Sequence, residues 1–527
     1  MRLSRPTYAL AALALFAAPA LAQDHQHGTD ELGNVTFPVT CNVEAQKRMS
    51  TAIAMLHSFW FPEARKTFES VVAADPKCGI AYWGVAMTHF GNPIAGGTTA
   101  QGQADGWAAI QKGVAAGAGS DRDRAYIDAG VALFRDHATA NNRTRMAAYE
   151  VALKSIVDRF PDDTEAKIFH AVMMVANAPP TDLTFAQQKK AAETLTALVK
   201  LQPKHPGLVH YIIHAFDSPP LANLALDAAR QYANLAPAAP HALHMPSHTF
   251  TRLGLWDESI KTNRRSADLE PTAGAKAHPM DYMVYAYLQQ GRDDAASAVL
   301  AELRASTPGE YVWVGALGSY NAVAMPARYA MERDDWKAAS EIPVSNGPPS
   351  VAAVARFARG LGAARLGNAA AARVEVAEIE KLIAASKAQN DSYWAVVATA
   401  QKTAIDAWIA HAEGRHQDAV RLAREAADTE EQVEKHAVTP GPLIPARELL
   451  GDILMVHRQP AEALVAYETT FKREPNRLRT LVGAARAAKA ASNNASASKY
   501  YGEVVKLADP KSTRADVAEA RTFVAQR

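Results

Sequence analysis

A recurring spacing of small, apolar and proline residues constrains the fold of this chain more than any other feature. Ala64, Phe68, Val71 and Pro76 follow one another at steps of four, three and five. Steps of three and four keep residues on one face of a helix, and proline ends the helix. The same steps recur, once with polar residues, at Ala191, Leu195, Leu198, Pro203; Ala225, Ala229, Tyr232, Pro237; Ser259, Asn263, Ser266, Pro271; Ala296, Leu300, Leu303, Pro308; and Ala463, Tyr467, Thr470, Pro475.

The period of this pattern identifies the repeating unit. Four of the closing prolines, Pro203, Pro237, Pro271 and Pro308, are separated by 34, 34 and 37 residues. The pattern resembles the tetratricopeptide repeat (TPR), a pair of antiparallel helices of about 34 residues. The resemblance covers most of residues 44–510 and implies an all-α fold, a TPR-type α-solenoid whose first helices line a concave groove. Glycines suit the turns between paired helices at Gly254, Gly291, Gly367 and Gly414.

The N-terminus has the pattern of an export signal. Residues 1–22 contain Arg2 and Arg5, an apolar run over 8–18, and small residues before Gln23, which is typical of a secretory signal peptide. A membrane anchor is the alternative, but the apolar run is too short to cross about 30 Å of hydrocarbon. We therefore expect a periplasmic protein with no membrane span in the mature chain.

The rest of the chain divides at two interruptions, 91–99 and 341–349, which are rich in glycine or proline. We expect an extended segment over 23–43, a solenoid over 44–340, a loop over 341–350 and a second solenoid over 351–527. The formal charge of +1 excludes nucleic acid as the main partner. Cys41 and Cys78 each precede the first helix of successive repeats, so they either form a disulfide or remain two free thiols.

Histidines concentrate in three consecutive repeats. Six of the nine positions that lie 30, 27 and 23 residues before a closing proline are histidine, where chance gives about 0.3. Steps of three and four place these positions on one helix face, and the resemblance implies that this face lines the groove. The candidate metal ligands are His210, His214, His241, His244, His248 and His278, with Asp281.

Histidine pairs at i and i+4 are an arrangement that binds zinc, copper or iron. We expect His210, His214, His244 and His248 to be the principal ligands. The alternative is a purely structural role, in which these histidines only pack the helices together. Pro246 predicts a kink within one helix over 241–252; alternatively, a helix begins at Pro246 and the shared face is lost.

Other candidates are less specific. Asp281 and Tyr285 are candidate catalytic groups, because they occupy the 27 and 23 positions before Pro308. His57 either lines the groove or packs in the core, and His89 is either a helix cap or a ligand. Glu448 and Asp452 either extend the polar groove or form a solvated acidic face. His25 and His27 either form a mobile tail that binds metal or are solvated side chains with no role.

The segments 81–84, Ala-Tyr-Trp-Gly, and 244–248, His-Met-Pro-Ser-His, resemble those of a group of exported bacterial TPR proteins. That resemblance implies no particular activity. The residues favour a transition-metal site in the groove, with metal-dependent catalysis of unknown substrate. The alternatives are a scaffold that binds a peptide, an envelope protein or a small-molecule ligand, and metal storage or delivery.

Overall fold

The computed structural model describes residues 29–95, 97, 99–306, 315–344 and 347–526. Within these ranges the chain forms α-helices, a 3-10 turn at Ala222–Ala225 and no β-strand. None of the described helices combines the length and apolarity needed to cross a bilayer. The predicted signal peptide, His25, His27 and Pro308 lie outside the described residues.

The helices are numbered in chain order. Helices α1 to α14 are Thr29–Leu32, Val43–His57, Phe61–Ala74, Gly79–Phe90, Ala100–Ala116, Asp121–Phe134, Asn142–Arg159, Thr164–Asn177, Ala186–Val199, Pro206–Ala215, Leu226–Leu235, Pro240–His244, Pro246–Arg252 and Trp256–Leu269. Helices α15 to α27 are Ala273–Gln289, Asp293–Ser306, Gly315–Met331, Trp336–Ser340, Pro349–Arg365, Ala369–Ala388, Ser392–Ala412, His416–Glu430, Ala446–Val456, Pro460–Thr470, Leu478–Ala490, Asn494–Leu507 and Ala515–Ala525.

These helices stack as a solenoid. Neighbours in the chain pack against each other, as α2 does with α3 and α21 with α22. Alternate helices also touch, so that α15, α17, α19, α21, α23 and α25 form a continuous inner row. The predicted all-α TPR-type α-solenoid is therefore confirmed.

The repeated residues explain why consecutive helix pairs approach closely. Phe68 of α3 packs where a side chain on Gly84 of α4 would sit, because an added Cβ would lie 2.3 Å from its ring. Tyr467 of α24 occupies the same kind of space against Gly451 and Gly483, where an added Cβ would lie 2.6 Å from its ring. A large ring on one helix and a missing side chain on the next fit together, and this contact sets the stacking distance.

The turns follow the sequence pattern. Gly254, Gly291, Gly367 and Gly414 all have positive φ, between 63° and 79°, which glycine adopts without steric cost. The described part of 91–99 joins α4 to α5, and the described part of 341–348 joins α18 to α19. Helices α17 and α18 both pack on α19, so the two solenoid segments form one continuous array.

The N-terminal segment is tied to the array. Cys41 and Cys78 form a disulfide, with their Cα atoms 5.3 Å apart, just before α2 and α4. The segment expected to be extended contains the short helix α1, and Asn34 N–H donates to the carbonyl of Lys204 at 2.9 Å.

The solenoid also curls back on itself. Helix α25 packs against α15, and the Trp256 indole N–H donates to the carbonyl of Asn476 at 3.0 Å. This curl brings the C-terminal repeats onto the histidine-rich repeats.

Candidate metal centre

The histidine-rich face lies on the inner helices α10, α12, α13 and α15. Helices α12 and α13 meet at Met245, whose φ of −54° and ψ of −36° are helical. A helix does begin at Pro246, yet the chain continues almost in line, since the Met245 N–H still donates to the His241 carbonyl at 2.9 Å. His244 and His248 therefore keep a shared face across the proline.

The six histidines separate into two groups of three. The N-terminal trio is His210, His214 and His241, and the C-terminal trio is His244, His248 and His278. Within each trio, one ring nitrogen from each residue lies within 4.8 Å of the others. The trios adjoin, because the His214 and His248 rings and the His241 and His244 rings are each 5.9 Å apart between centroids.

Acceptors outside the trios fix the orientation of three imidazoles. The Nδ1–H of His210 donates to the backbone carbonyl of His57 at 2.6 Å, and that of His248 donates to Asp217 Oδ2 at 2.8 Å. His244 Nδ1–H donates to Asn263 Oδ1 at 2.7 Å. The amide of Asn263 is oriented by its own Nδ2–H, which donates to the Ser259 carbonyl at 2.8 Å. Each neutral imidazole is thereby protonated at Nδ1 and bare at Nε2.

The bare nitrogens face other imidazole nitrogens. His244 Nε2 lies 3.0 Å from His248 Nε2, and His210 Nε2 lies 3.2 Å from His241 Nε2. In the first pair both Nδ1 atoms hold the proton, so two lone pairs meet with no hydrogen between them. Two further ring nitrogens, His214 Nε2 and His278 Nδ1, are buried and have no hydrogen-bond partner among the described residues. A bound cation would satisfy all of these nitrogens.

Burial keeps the six imidazoles neutral. It lowers the pKa of His210 to about 3 and holds the pKa values of His214, His241, His244 and His278 well below the ordinary value. Burial also lowers the pKa of His248, although the Asp217 carboxylate partly opposes the shift. Neutral imidazole is the form that binds a metal ion.

Asp217, the acceptor for His248 Nδ1–H, belongs to a buried network of charged side chains. Asp217 accepts from Arg252 Nε at 3.0 Å and from Lys435 Nζ at 3.2 Å. Arg252 also pairs with Glu434 at 2.9 Å. Although burial alone would raise the pKa of Asp217, Lys435 and Arg252 hold it well below its usual range. The carboxylate is therefore ionised and accepts a hydrogen bond from the Nδ1–H of His248.

The C-terminal repeats cover the trios with residues 431–445, here called the covering segment, which joins α22 to α23. The Tyr282 hydroxyl donates to the Thr439 carbonyl at 3.2 Å, and Asn321 Nδ2–H donates to the Val438 carbonyl at 2.9 Å. This segment, with Glu434 and Lys435, could not be predicted from the sequence, because nothing in the repeat pattern places it over the groove.

One cleft still reaches the histidines. It encloses about 1040 Å³, including the part open to solvent, and its walls include His214, Asp217, Tyr393, Lys435 and His436. His214, which lines this cleft, is 7% exposed, whereas His210 and His248 are 0% and 1% exposed; His241 and His278 are partly exposed as well. A small molecule can therefore approach the trios from the side of His214.

Two predicted site residues are not brought to the imidazoles. Asp281 is fully buried and accepts from Arg328 Nε at 3.2 Å and from Asn321 Nδ2 at 3.0 Å. The Tyr285 hydroxyl accepts from Arg477 at 3.1 Å. Both residues have the expected helix register, but arginines from later repeats reach them first, so neither belongs to a trio.

Glu448 and His57 also have structural partners. Glu448 accepts from Arg477 at 3.1 Å and from Arg479 at 2.6 Å, which makes it part of a buried ion-pair network rather than a groove lining. The His57 ring is buried, and its Nε2 lies 2.8 Å from Glu165.

Glu165 also bonds the Nε2 of His205, at 2.8 Å. The cluster of His57, Glu165 and His205 adjoins the N-terminal trio, because the His57 carbonyl accepts from His210 Nδ1–H. Glu165 was not among the predicted site residues. His89 is partly exposed, with Nδ1 3.9 Å from Asp105.

Comparisons with known proteins place few constraints on this chain. No protein-family model matches it, and no curated protein matches it either. Among solved structures, a human IFIT1 dimer with PPP-AAAA is 12% identical, with a TM-score of 0.38, over 77% of this chain and 87% of that one. Yeast Tom70 is 10% identical, with a TM-score of 0.32, over 92% of this chain and 95% of that one. Likenesses this distant carry no argument about function.

Proposed function

We propose that this protein is a metalloprotein whose two histidine trios each bind one transition-metal ion. The observation that carries the proposal is the pair of bare Nε2 atoms of His244 and His248, 3.0 Å apart, each fixed by an acceptor on its Nδ1. Histidine ligands in metal sites commonly donate their second ring N–H in this way, which orients the ring and raises its basicity. Histidines that served only in packing would be expected to share a proton across such a contact.

The donor set favours copper or zinc. Each trio offers three imidazoles and no carboxylate or thiolate. Carboxylate-rich sites suit magnesium, calcium and manganese, and the common non-haem iron site includes a carboxylate. Imidazole alone suits copper and zinc among the metals that the sequence left open.

The two ions would be neighbours with free coordination positions. Three protein ligands to each ion leave room for water or substrate, as in catalytic zinc sites. An ion bound in this way supplies Lewis-acid or redox chemistry. The cleft beside His214 gives a small molecule access, so a metal-dependent enzyme acting on a small substrate fits better than a storage site.

A peptide-binding role at the same face is less compatible with the contacts. The covering segment already occupies the groove, with Thr439 and Val438 bonded to Tyr282 and Asn321. A peptide would have to displace these residues before it reached the histidines.

Export to the periplasm remains part of the proposal. It is supported by the signal-like pattern of residues 1–22 and by the Cys41–Cys78 disulfide, a bond that persists in oxidising compartments.

Metal analysis of protein purified without a histidine tag tests the proposal. After loading with copper or zinc, the His244→Ala, His248→Ala double variant is expected to bind one ion fewer than the parent. A double variant of two partly exposed histidines outside the trios, His89→Ala with His137→Ala, should bind as many ions as the parent. The same number of ions in the first variant and the parent would show that these residues are not ligands.

A further inference from the structure

A third group of three histidines lies far from the trios, on the C-terminal repeats. His411 is in the last turn of α21, His416 is the first residue of α22, and His457 directly follows α23. One ring nitrogen from each lies within 4.8 Å of the others. The His416 and His457 ring centroids are 4.7 Å apart, and those of His411 and His457 are 5.1 Å apart.

Two of these imidazoles have nitrogens that nothing satisfies. His411 Nδ1 and His457 Nε2 are shielded from solvent and have no hydrogen-bond partner within the described part of the chain. Burial, followed by the neighbouring imidazoles, lowers the pKa values of His411 and His457. A ring nitrogen that carries no hydrogen and has no partner offers its lone pair to a metal ion.

The surroundings differ from those of the trios. His416 is exposed and the other two residues are partly exposed, so the group faces solvent. The charge of Arg365 acts on His411, and this arginine stacks over Trp408 at 4.0 Å and lies 3.5 Å from Asp452. No acceptor of the kind that Asp217 or Asn263 provides is bonded to these rings among the described residues.

We propose that His411, His416 and His457 form a separate surface site for one borderline divalent metal ion, such as Zn²⁺, Cu²⁺ or Ni²⁺. Three imidazoles match the ligand preference of these ions and leave a fourth position open to water or to an external ligand. Missing outer-shell partners weaken metal affinity by about 10–100-fold in comparable sites, so the ion at this site is exchangeable.

A Zn²⁺ titration of the full-length, tag-free chain by isothermal titration calorimetry tests this site. The His411→Ala, His457→Ala double variant should bind one ion fewer than the parent, and His137→Ala, outside every histidine cluster, should bind the same number. His416→Ala changes only an exposed side chain. It should lower the Zn²⁺ affinity of this site by more than about tenfold, because it removes a ligand rather than an outer-shell partner.

The result is independent of the trios. If the trios bind no metal, the count falls from one to zero in the double variant, and if both bind, it falls from three to two. An equal count in the parent and the double variant, with unchanged helical circular dichroism, overturns the surface site. Full-strength binding by His416→Ala overturns it as well.

Discussion

Replacing Asn263 with alanine separates the role of the outer shell from that of the ligands themselves. Asn263 is fully buried and accepts the Nδ1–H of His244 at 2.7 Å. Without it, the His244 proton can move to Nε2 and donate to His248 Nε2, 3.0 Å away. The metal-free state then gains a hydrogen bond at the place where the metal-bound state needs a lone pair.

The expected magnitudes follow from this exchange. Loss of an outer-shell partner costs about 10–100-fold in metal affinity, equivalent to about 1.4–2.8 kcal/mol. The metal-free protein should lose at most about 1–3 kcal/mol of unfolding free energy, the cost of an unsatisfied buried polar group. The new bond between His244 and His248 recovers part of that loss, so metal affinity should fall more clearly than stability.

The assay is competition for metal against a chelator of known affinity, together with denaturant unfolding of the metal-free protein. Gln103→Ala is the matched control, because Gln103 is a buried amide 4% exposed that accepts from Arg145 at 2.6 Å and touches neither trio. The control should lose stability and keep the parent's metal affinity. An Asn263→Ala variant with the parent's affinity would refute the idea that this amide fixes a metal-binding tautomer.

Three further predictions address the disulfide, the acid response and Asp281. Reducing the Cys41–Cys78 bond, which spans 37 residues, should lower the unfolding free energy by about 3–4 kcal/mol, and an unchanged denaturation midpoint would contradict this. Burial lowers the pKa of His210 from 6.5 to about 3, so below 6.5 the unfolded chain binds a proton that the folded chain does not. Metal-free protein should therefore lose up to about 1.4 kcal/mol per pH unit from this residue as the pH falls towards about 3; stability that is flat over this range in denaturant melts would argue against neutral burial. Asp281→Asn should cost about 3–5 kcal/mol of stability, because the buried Arg328 loses its charge partner, and should leave the metal content measured by elemental analysis unchanged. A loss of metal in that variant would restore Asp281 as a ligand.

The helical repeat was predictable because it depends on local rules. Small, aromatic and proline residues at fixed steps determine how one helix pair packs on the next, as Phe68 does on Gly84. The same registers predicted which histidines share a face. They could not predict the division into two trios. His241 and His244 lie in the same helix, α12, and the packing of the flanking helices decides that His241 joins His210 and His214 whereas His244 joins His248 and His278.

The surroundings of the other candidate residues depend on contacts outside the repeat pattern. Asp281 has the same register as His210 and His244, yet Arg328 and Asn321 from α17 enclose it. The covering segment reaches the trios only because the solenoid curls, whereas Asp217 and Asn263 come from the histidine-rich repeats, 31 residues before His248 and 19 residues after His244. His411, His416 and His457 share no helical register, so only the meeting of three helix ends places them together.

The most direct test of the paired metal sites is a crystal structure of the loaded protein with anomalous diffraction at the metal edge. Two peaks are expected, each about 2.0–2.1 Å from three imidazole nitrogens if the metal is zinc. One peak should lie within His210, His214 and His241, and the other within His244, His248 and His278. Loaded crystals with no anomalous peak at either trio would contradict the proposed function.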